Sequence, residues 1–375
     1  MQLKKTIYLS TITAAILTTS VLHAENYVSV EYLQYNESDD RVTVTAPMLE
    51  VSYDFNTDYN LKANVMYDGV SGATPSYMTN ENGDLFKGLQ DFDDDRTAAS
   101  LLLTTRFANR DELYTGIDFS REKDYQSLTG SLEYMHYLDA THNTAVNVGV
   151  SVAYNEILVY DGDTGASAYD GDSGASHTED SMNYYLQGGI TQVLTKDSSV
   201  KVAAFVGSDD GYLTNPHGRI VRDYSTQNAT LDVENRPDNR LMYGFTLKYN
   251  KMLTENISYI GAYRLYADDW DIMSHTIDND IYIKLTEQFT LGVGLRYYTQ
   301  SQAEFYHEDI EYFTDEKYAS SDERLSDFDA LTYKVNIDFK QNDTFSYNIG
   351  AEYYDTSTVT ELSATILTLG MKYKF

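Results

Sequence analysis

The chain has 375 residues, no cysteine, 35 tyrosines, and 58 Asp and Glu against 27 Lys and Arg, a net charge of −31. The lack of cysteine excludes disulfides, thiolate metal sites and thiol catalysis, and a field of that sign repels nucleic acid and disfavours it as a partner. Mean hydropathy is −0.45, and beyond the first residues no stretch approaches the roughly 18 apolar residues of a spanning helix, so any membrane crossing has to be made by strands.

The first residues read as an address. Lys4 and Lys5 precede an apolar run from Ile7 to Leu22, and Ala24 offers a small residue at a cleavage point. The pattern predicts a secretory signal peptide over 1–24, which would leave a mature chain of 25–375 with a charge of about −33. An uncleaved membrane anchor is the competing reading, and the run is short for one.

From Glu25 onward, apolar and polar residues alternate in long runs. The first eight lie near 27–36, 41–55, 61–70, 97–107, 112–121, 125–138, 144–159 and 182–194. Eight more follow near 199–209, 240–253, 257–268, 272–285, 289–303, 327–339, 344–355 and 361–375. A period of two sustained over such lengths is a strand signal. Connections alternate between short turns, such as Asn56-Thr57-Asp58, Lys196-Asp197-Ser198 and Gln341-Asn342-Asp343, and a second set that includes the long ones near 71–96, 160–181, 210–239 and 304–326. The pattern predicts an all-β fold: a transmembrane antiparallel up-and-down β-barrel of about sixteen strands in the outer membrane of a Gram-negative bacterium. Its short turns and both termini would be periplasmic, its long loops extracellular. The tyrosines suit aromatic girdles at the two interfaces.

Within this frame the stretch from Ile257 to Tyr306 alternates most cleanly. If its turns centre on Trp270 and Glu287, Asp278 lies directly across from Arg296 and diagonal to Arg264. Arg264, Asp278 and Arg296, with Asp280, Lys284, Lys248 and Asp118, form a candidate lumen charge cluster. It is either an ion-selecting constriction or a cross-strand network that holds the wall. The last run ends Leu367, Leu369, Met371, Tyr373, Phe375. As an edge strand it would expose an apolar edge; closure with the first strand removes that hazard. An aromatic carboxyl terminus also resembles the signal read by barrel-insertion machinery.

Three blocks in this region, Tyr263-Arg264-Leu265-Tyr266-Ala267-Asp268-Asp269-Trp270, Ser274-His275-Thr276, and the run from Arg296 to Tyr306, resemble the signatures of the family catalogued as domain of unknown function 3570. Asp68-Gly69-Val70-Ser71-Gly72-Ala73-Thr74-Pro75 is similar to that family's N-terminal block. The resemblance covers the mature chain and implies an outer-membrane barrel of unassigned activity, with no catalytic residues to carry over.

Loops supply the remaining candidates. Tyr160 to Ser167 recurs as Tyr169 to Ser176, placing Asp161, Asp163, Asp170 and Asp172 between glycines. Such carboxylates suit calcium, although the distal glutamate of a calcium loop is missing and a solvated flexible loop is the alternative. The run Asp91, Asp93, Asp94 and Asp95 is open to the same two readings. The loop from Asp210 to Asn239 either folds into the lumen or lies over the mouth. The histidines show no paired metal-ligand spacing, and the one hydrolytic constellation is Asp268 and Asp269 with His275, which parity turns away from the lumen. The expected function is a passive, porin-like channel or transport component for small hydrophilic or cationic solutes, not an enzyme. A non-conducting structural, receptor or partner-platform barrel is the alternative, and an outer-membrane hydrolase the more distant one. No cofactor is expected beyond calcium at acidic outer loops, and the partners are outer-membrane lipid, those solutes and the insertion machinery.

Overall fold

The period-two runs become sixteen long strands of one ring. In the computed structural model they begin with β1 (Tyr27–Glu37), β2 (Val42–Asp54), β3 (Tyr59–Thr79), β4 (Leu85–Arg106), β5 (Glu112–Arg121) and β6 (Tyr125–Tyr137). Then come β7 (Thr144–Tyr160), β8 (Ser176–Thr195) and β9 (Ser198–Gly211), and a small hairpin of β10 (Arg219–Arg222) and β11 (Thr230–Val233). The ring resumes with β12 (Asn239–Thr254), β13 (Ile257–Asp268), β14 (Met273–Lys284), β15 (Phe289–Gln300), β16 (Phe328–Lys340), β17 (Phe345–Thr356) and β18 (Ser363–Lys374). The structure describes residues 26–79, 85–160, 176–223, 229–307, 313–357 and 361–375. The signal peptide expected over 1–24 and the candidate calcium ligands Asp161, Asp163, Asp170 and Asp172 lie outside them.

Every ring strand pairs antiparallel with its neighbours, and β1 closes on β18 from Tyr27↔Lys374 to Glu37↔Ala364. The Phe375 N–H donates to the Asn26 carbonyl at 3.0 Å, so the final apolar edge is paired. Short turns are held by side-chain oxygens that accept backbone N–H groups: Asn56 from Asp58 and Tyr59, Asp139 from Thr141, Asn143 and Thr144, Asn342 from Thr344 and Phe345. Asn and Asp favour turns because they can bond the chain two or three residues on.

Outward positions carry the apolar side chains. On β7 the residues Val148, Val150, Val152 and Tyr154 are exposed while Asn147, Ser151 and Asn155 turn in. Aliphatics such as Val65, Leu101, Ile117, Leu186, Ile281 and Leu369 continue this belt around the ring. Aromatic rings flank it. At the short-turn end Phe289, Phe339 and Tyr347 stack in sequence, at 4.7 and 6.1 Å; at the other end stand Tyr67, Tyr243, Tyr297 and Tyr353. From Phe289 to Tyr297 the strand rises about 27 Å, or roughly 20 Å of height at a barrel tilt of about 40°, close to the roughly 25 Å belt of outer-membrane barrels.

The main departure from the expected layout is the connection 71–96, most of which is strand rather than loop. β3 and β4 pair without a break from Tyr59↔Thr105 to Thr79↔Leu85. Gly72 makes the extension possible: its φ of +143° suits glycine, and a Cβ there would sit 1.8 Å from the Arg41 carbonyl oxygen, where β3 leaves β2. Above the apolar belt the ladder no longer needs an apolar face, so the alternation signal fades while the hydrogen bonds continue.

Candidate functional site

The inward faces of β14, β15 and β16 carry an ionic ladder. Asp278 is directly opposite Arg296, as the turn positions predicted, and accepts a hydrogen bond from Arg296 Nε at 2.7 Å. The third charge is Lys334 of β16, whose Nζ lies 3.1 Å from Asp278 and 3.0 Å from Asp280. Gly294 stands between Asp280 and Lys334 in the register. A Cβ there would lie 2.2 Å from the Asp280 carboxylate, so the glycine opens the path for the lysine to cross β15. Arg296 faces inward yet keeps half of its side-chain surface accessible.

The other predicted members separate. Arg264 is diagonal to Asp278 as expected, but its guanidinium lies 5.7 Å from the Phe205 ring centroid instead of pairing with the aspartate. Tyr185, Phe205 and Tyr266 follow one another across β8, β9 and β13, so this wall is aromatic and arginine-lined where the next is ionic. Lys248 lies across from Lys201 on β9. Lys284 bonds Glu287 at the short turn, 2.7 Å away and outside the ladder. Asp118 of β5 sits on the far wall, eight positions around the sixteen-strand ring from β15.

Two of the long connections lie over the mouth. The β9–β12 connection lies across it at the level of the outer turns, where its His217 meets Asp124 of the β5–β6 turn at 2.6 Å. The β15–β16 connection sends Glu323 to Lys87 on β4, 3.1 Å away and seven positions around the ring. The two connections also bind each other. Asn235 and Ala319 exchange both backbone hydrogen bonds, and Arg236 lies between Glu234 at 2.6 Å and Asp322 at 2.8 Å. Burial works against the Arg236 charge, but those two carboxylates hold its pKa above the ordinary arginine value. Burial alone would raise the Asp322 carboxyl; Arg324 and Arg236 beside it hold it far below the usual carboxylate range.

Among the described residues, both clusters of buried apolar side chains belong to this cap. One comprises Leu213, Trp270, Ile272, Ala303, Phe305, Tyr306 and Leu325, the other Ile220, Phe313 and Ala319. The hydrolytic constellation is not assembled. The Asp268 carboxylate is occupied by Arg240, Tyr266 and the backbone N–H groups of Trp270 and Ile272, and Asp269 accepts from Leu241 N–H. His275 shares a 2.8 Å hydrogen bond with Tyr263 on the outer face, on the other side of the wall from Asp268.

A family model matches residues 8–85 and 88–367 of this sequence. The chain belongs to the family described as Protein of unknown function (DUF3570). No curated protein matches it. Similar solved structures include a ferric enterobactin receptor (PfeA) mutant from Pseudomonas aeruginosa, at 10% identity and a TM-score of 0.47, with 89% of this chain and 54% of that one covered. The DUF3570 chain therefore spans about half the length of that receptor. A second is the CymD monoaromatic hydrocarbon channel, at 8% identity and a TM-score of 0.45, covering 95% and 90%. A third is a loop-deletion mutant of OmpT, an outer membrane protein of Vibrio cholerae, at 12% identity and a TM-score of 0.44, covering 94% and 98%.

Proposed function

We propose that this DUF3570 barrel spans the outer membrane with its short turns in the periplasm and acts as a passive channel for small hydrophilic or cationic solutes. One observation carries the reading. Arg296 points into the ring and keeps half of its side-chain surface accessible, so the side chains of the described residues leave open space beside the Asp278, Asp280 and Lys334 ladder. A ring of sixteen strands has the girth for an aqueous lumen, and charged groups lining it act on any permeating ion. The loop cap narrows entry, and lipid covers the apolar belt. The strand ending at Phe375 is the segment offered to the insertion machinery.

The test is single-channel conductance of the mature chain refolded into a planar bilayer, with the reversal potential taken under a salt gradient. Stable openings with cation preference are expected. Asp278→Asn combined with Asp280→Asn should reduce that preference, since it leaves Arg296 and Lys334 uncompensated. Folded protein without conductance would sink the channel reading. The cap's own apolar core favours the second reading, a non-conducting receptor or partner platform, and that result would support it.

A further inference from the structure

One stretch of the lumen wall is purely cationic, in a chain whose net charge is −31. Residues 199–207 on β9, 242–250 on β12 and 258–266 on β13 include no Asp or Glu, yet they turn Lys201, Lys248 and Arg264 inward. Lys201 lies directly across from Lys248 and is attracted by Glu133 of β6. The side chains of Lys248 and Arg264, by contrast, form no hydrogen bond or ion pair with any described residue. These two are diagonal neighbours, because Arg264 is opposite Thr246, two residues before Lys248; diagonal positions stand about 7 Å apart. Asp278, diagonal to Arg264 on its other side, is already held by Arg296 and Lys334. An aromatic surface borders the pair: the Phe205 ring lies 5.7 Å from the Arg264 guanidinium and 6.5 Å from the rings of both Tyr185 and Tyr266.

We infer that Arg264 and Lys248 form a lumenal binding site for aromatic carboxylate anions. A guanidinium presents a planar fork that takes a carboxylate through two parallel N–H···O bonds, and Lys248 adds a second positive charge beside it. The rings of Tyr185, Phe205 and Tyr266 offer faces and edges against which the ring of such an anion packs. Arg296 and Lys334 of the ladder already face carboxylates, so the anion's place is on this wall and not on the next. The site rests on the water-accessible lumen of the channel reading and adds an anionic class of solute to it. It does not require conduction, since an anion can enter from one mouth.

The experiment is titration of fluorobenzoate, followed by fluorine NMR, with the mature chain folded in detergent. Saturable binding is expected, reversed by benzoate and far less by acetate, which lacks the ring, or by fluorobenzene, which lacks the charge. Arg264→Gln should weaken binding by about tenfold or more, the loss of a charge-assisted hydrogen bond, and Lys248→Met should weaken it too. Thr246→Glu keeps the arginine but sets a carboxylate directly opposite it, and should abolish binding. Lys196→Met removes a charge at the exposed β8–β9 turn and should bind as the parent does. Each variant's fold is verified by the difference in gel migration before and after boiling. No saturable binding to the folded parent, or binding indifferent to Arg264→Gln and Thr246→Glu, overturns the assignment. Conductance of the same preparation separates the two readings: openings without fluorobenzoate binding overturn the site and leave the channel, whereas binding without openings supports the site and removes the channel.

Discussion

Asp111, just before β5, shows how one side chain holds a short turn. It is 2% exposed and accepts from the Tyr134 hydroxyl, Asn109 Nδ2 and Tyr137 N–H, and it shares a hydrogen bond with His136 Nδ1. Burial alone would raise its pKa; the bonds from Tyr134, His136, Tyr137 and Asn109 outweigh it and hold the carboxyl down to about 2. Unfolded Asp titrates near about 3.9, so this group's contribution is complete above that pH and is lost as the pH falls toward 2. Asp111→Ala should cost about 1.5–3 kcal/mol at pH 7 by removing the charge-assisted hydrogen bonds that its carboxylate accepts. In urea unfolding from lipid vesicles, the gap to the parent should narrow at pH 2.5; a gap equal at both pH values would refute this account. At this scale the sequence was partly legible. Two turn centres located the Asp278 and Arg296 pair. Lys334 escaped because the β15–β16 register depends on how the connection from 301 to 327 folds. Arg264 escaped because Gly244 leaves room for the Phe205 ring, 2.2 Å from where a Cβ would stand, to reach across β12 toward it.

At the scale of elements, the sixteen alternating runs correspond one to one with the ring strands, and the limits of β5 and β13 coincide with them. A ring whose strands turn one face outward and the other into the interior imposes a period of two along each of them. Above the belt that constraint lapses, so the outer parts of β3 and β4 and the short β10–β11 hairpin left no pattern to read. The pairing of the two long connections was equally hidden, because it depends on single contacts such as Arg236 with Glu234 and Asp322. Arg236→Ala leaves Glu234 enclosed without a cation, a change that costs about 3–5 kcal/mol in buried pairs. The loss falls on the cap, since the ring strands do not depend on Arg236. Hydrogen exchange should therefore accelerate over 229–238 and 313–325 while the ring amides keep their protection. Unchanged cap exchange would show that the apolar clusters alone hold the loops.

At the scale of the molecule, the fold inverts the usual arrangement: the wall exposes its apolar residues outward and turns polar ones in, and among the described residues the conventional apolar cores are confined to the loop cap. Such a wall is stable only if a hydrocarbon phase takes the place of a core, so the cost of a charge should depend on which way its side chain points. Val150 and Ser151 are neighbours on β7, at mid-height between the short turn and the outer end, with Val150 outward between Leu132 and Leu186 and Ser151 inward beside Ser131 and Tyr185. Val150→Arg should destabilise the barrel by about 2–4 kcal/mol in lipid vesicles, the range for a charge on the lipid face near mid-membrane. Ser151→Arg places the same charge where water and polar side chains meet it and should cost less. Equal penalties at the two positions would mean that the outer face is not covered by lipid, and the membrane reading of the whole ring would fall with them.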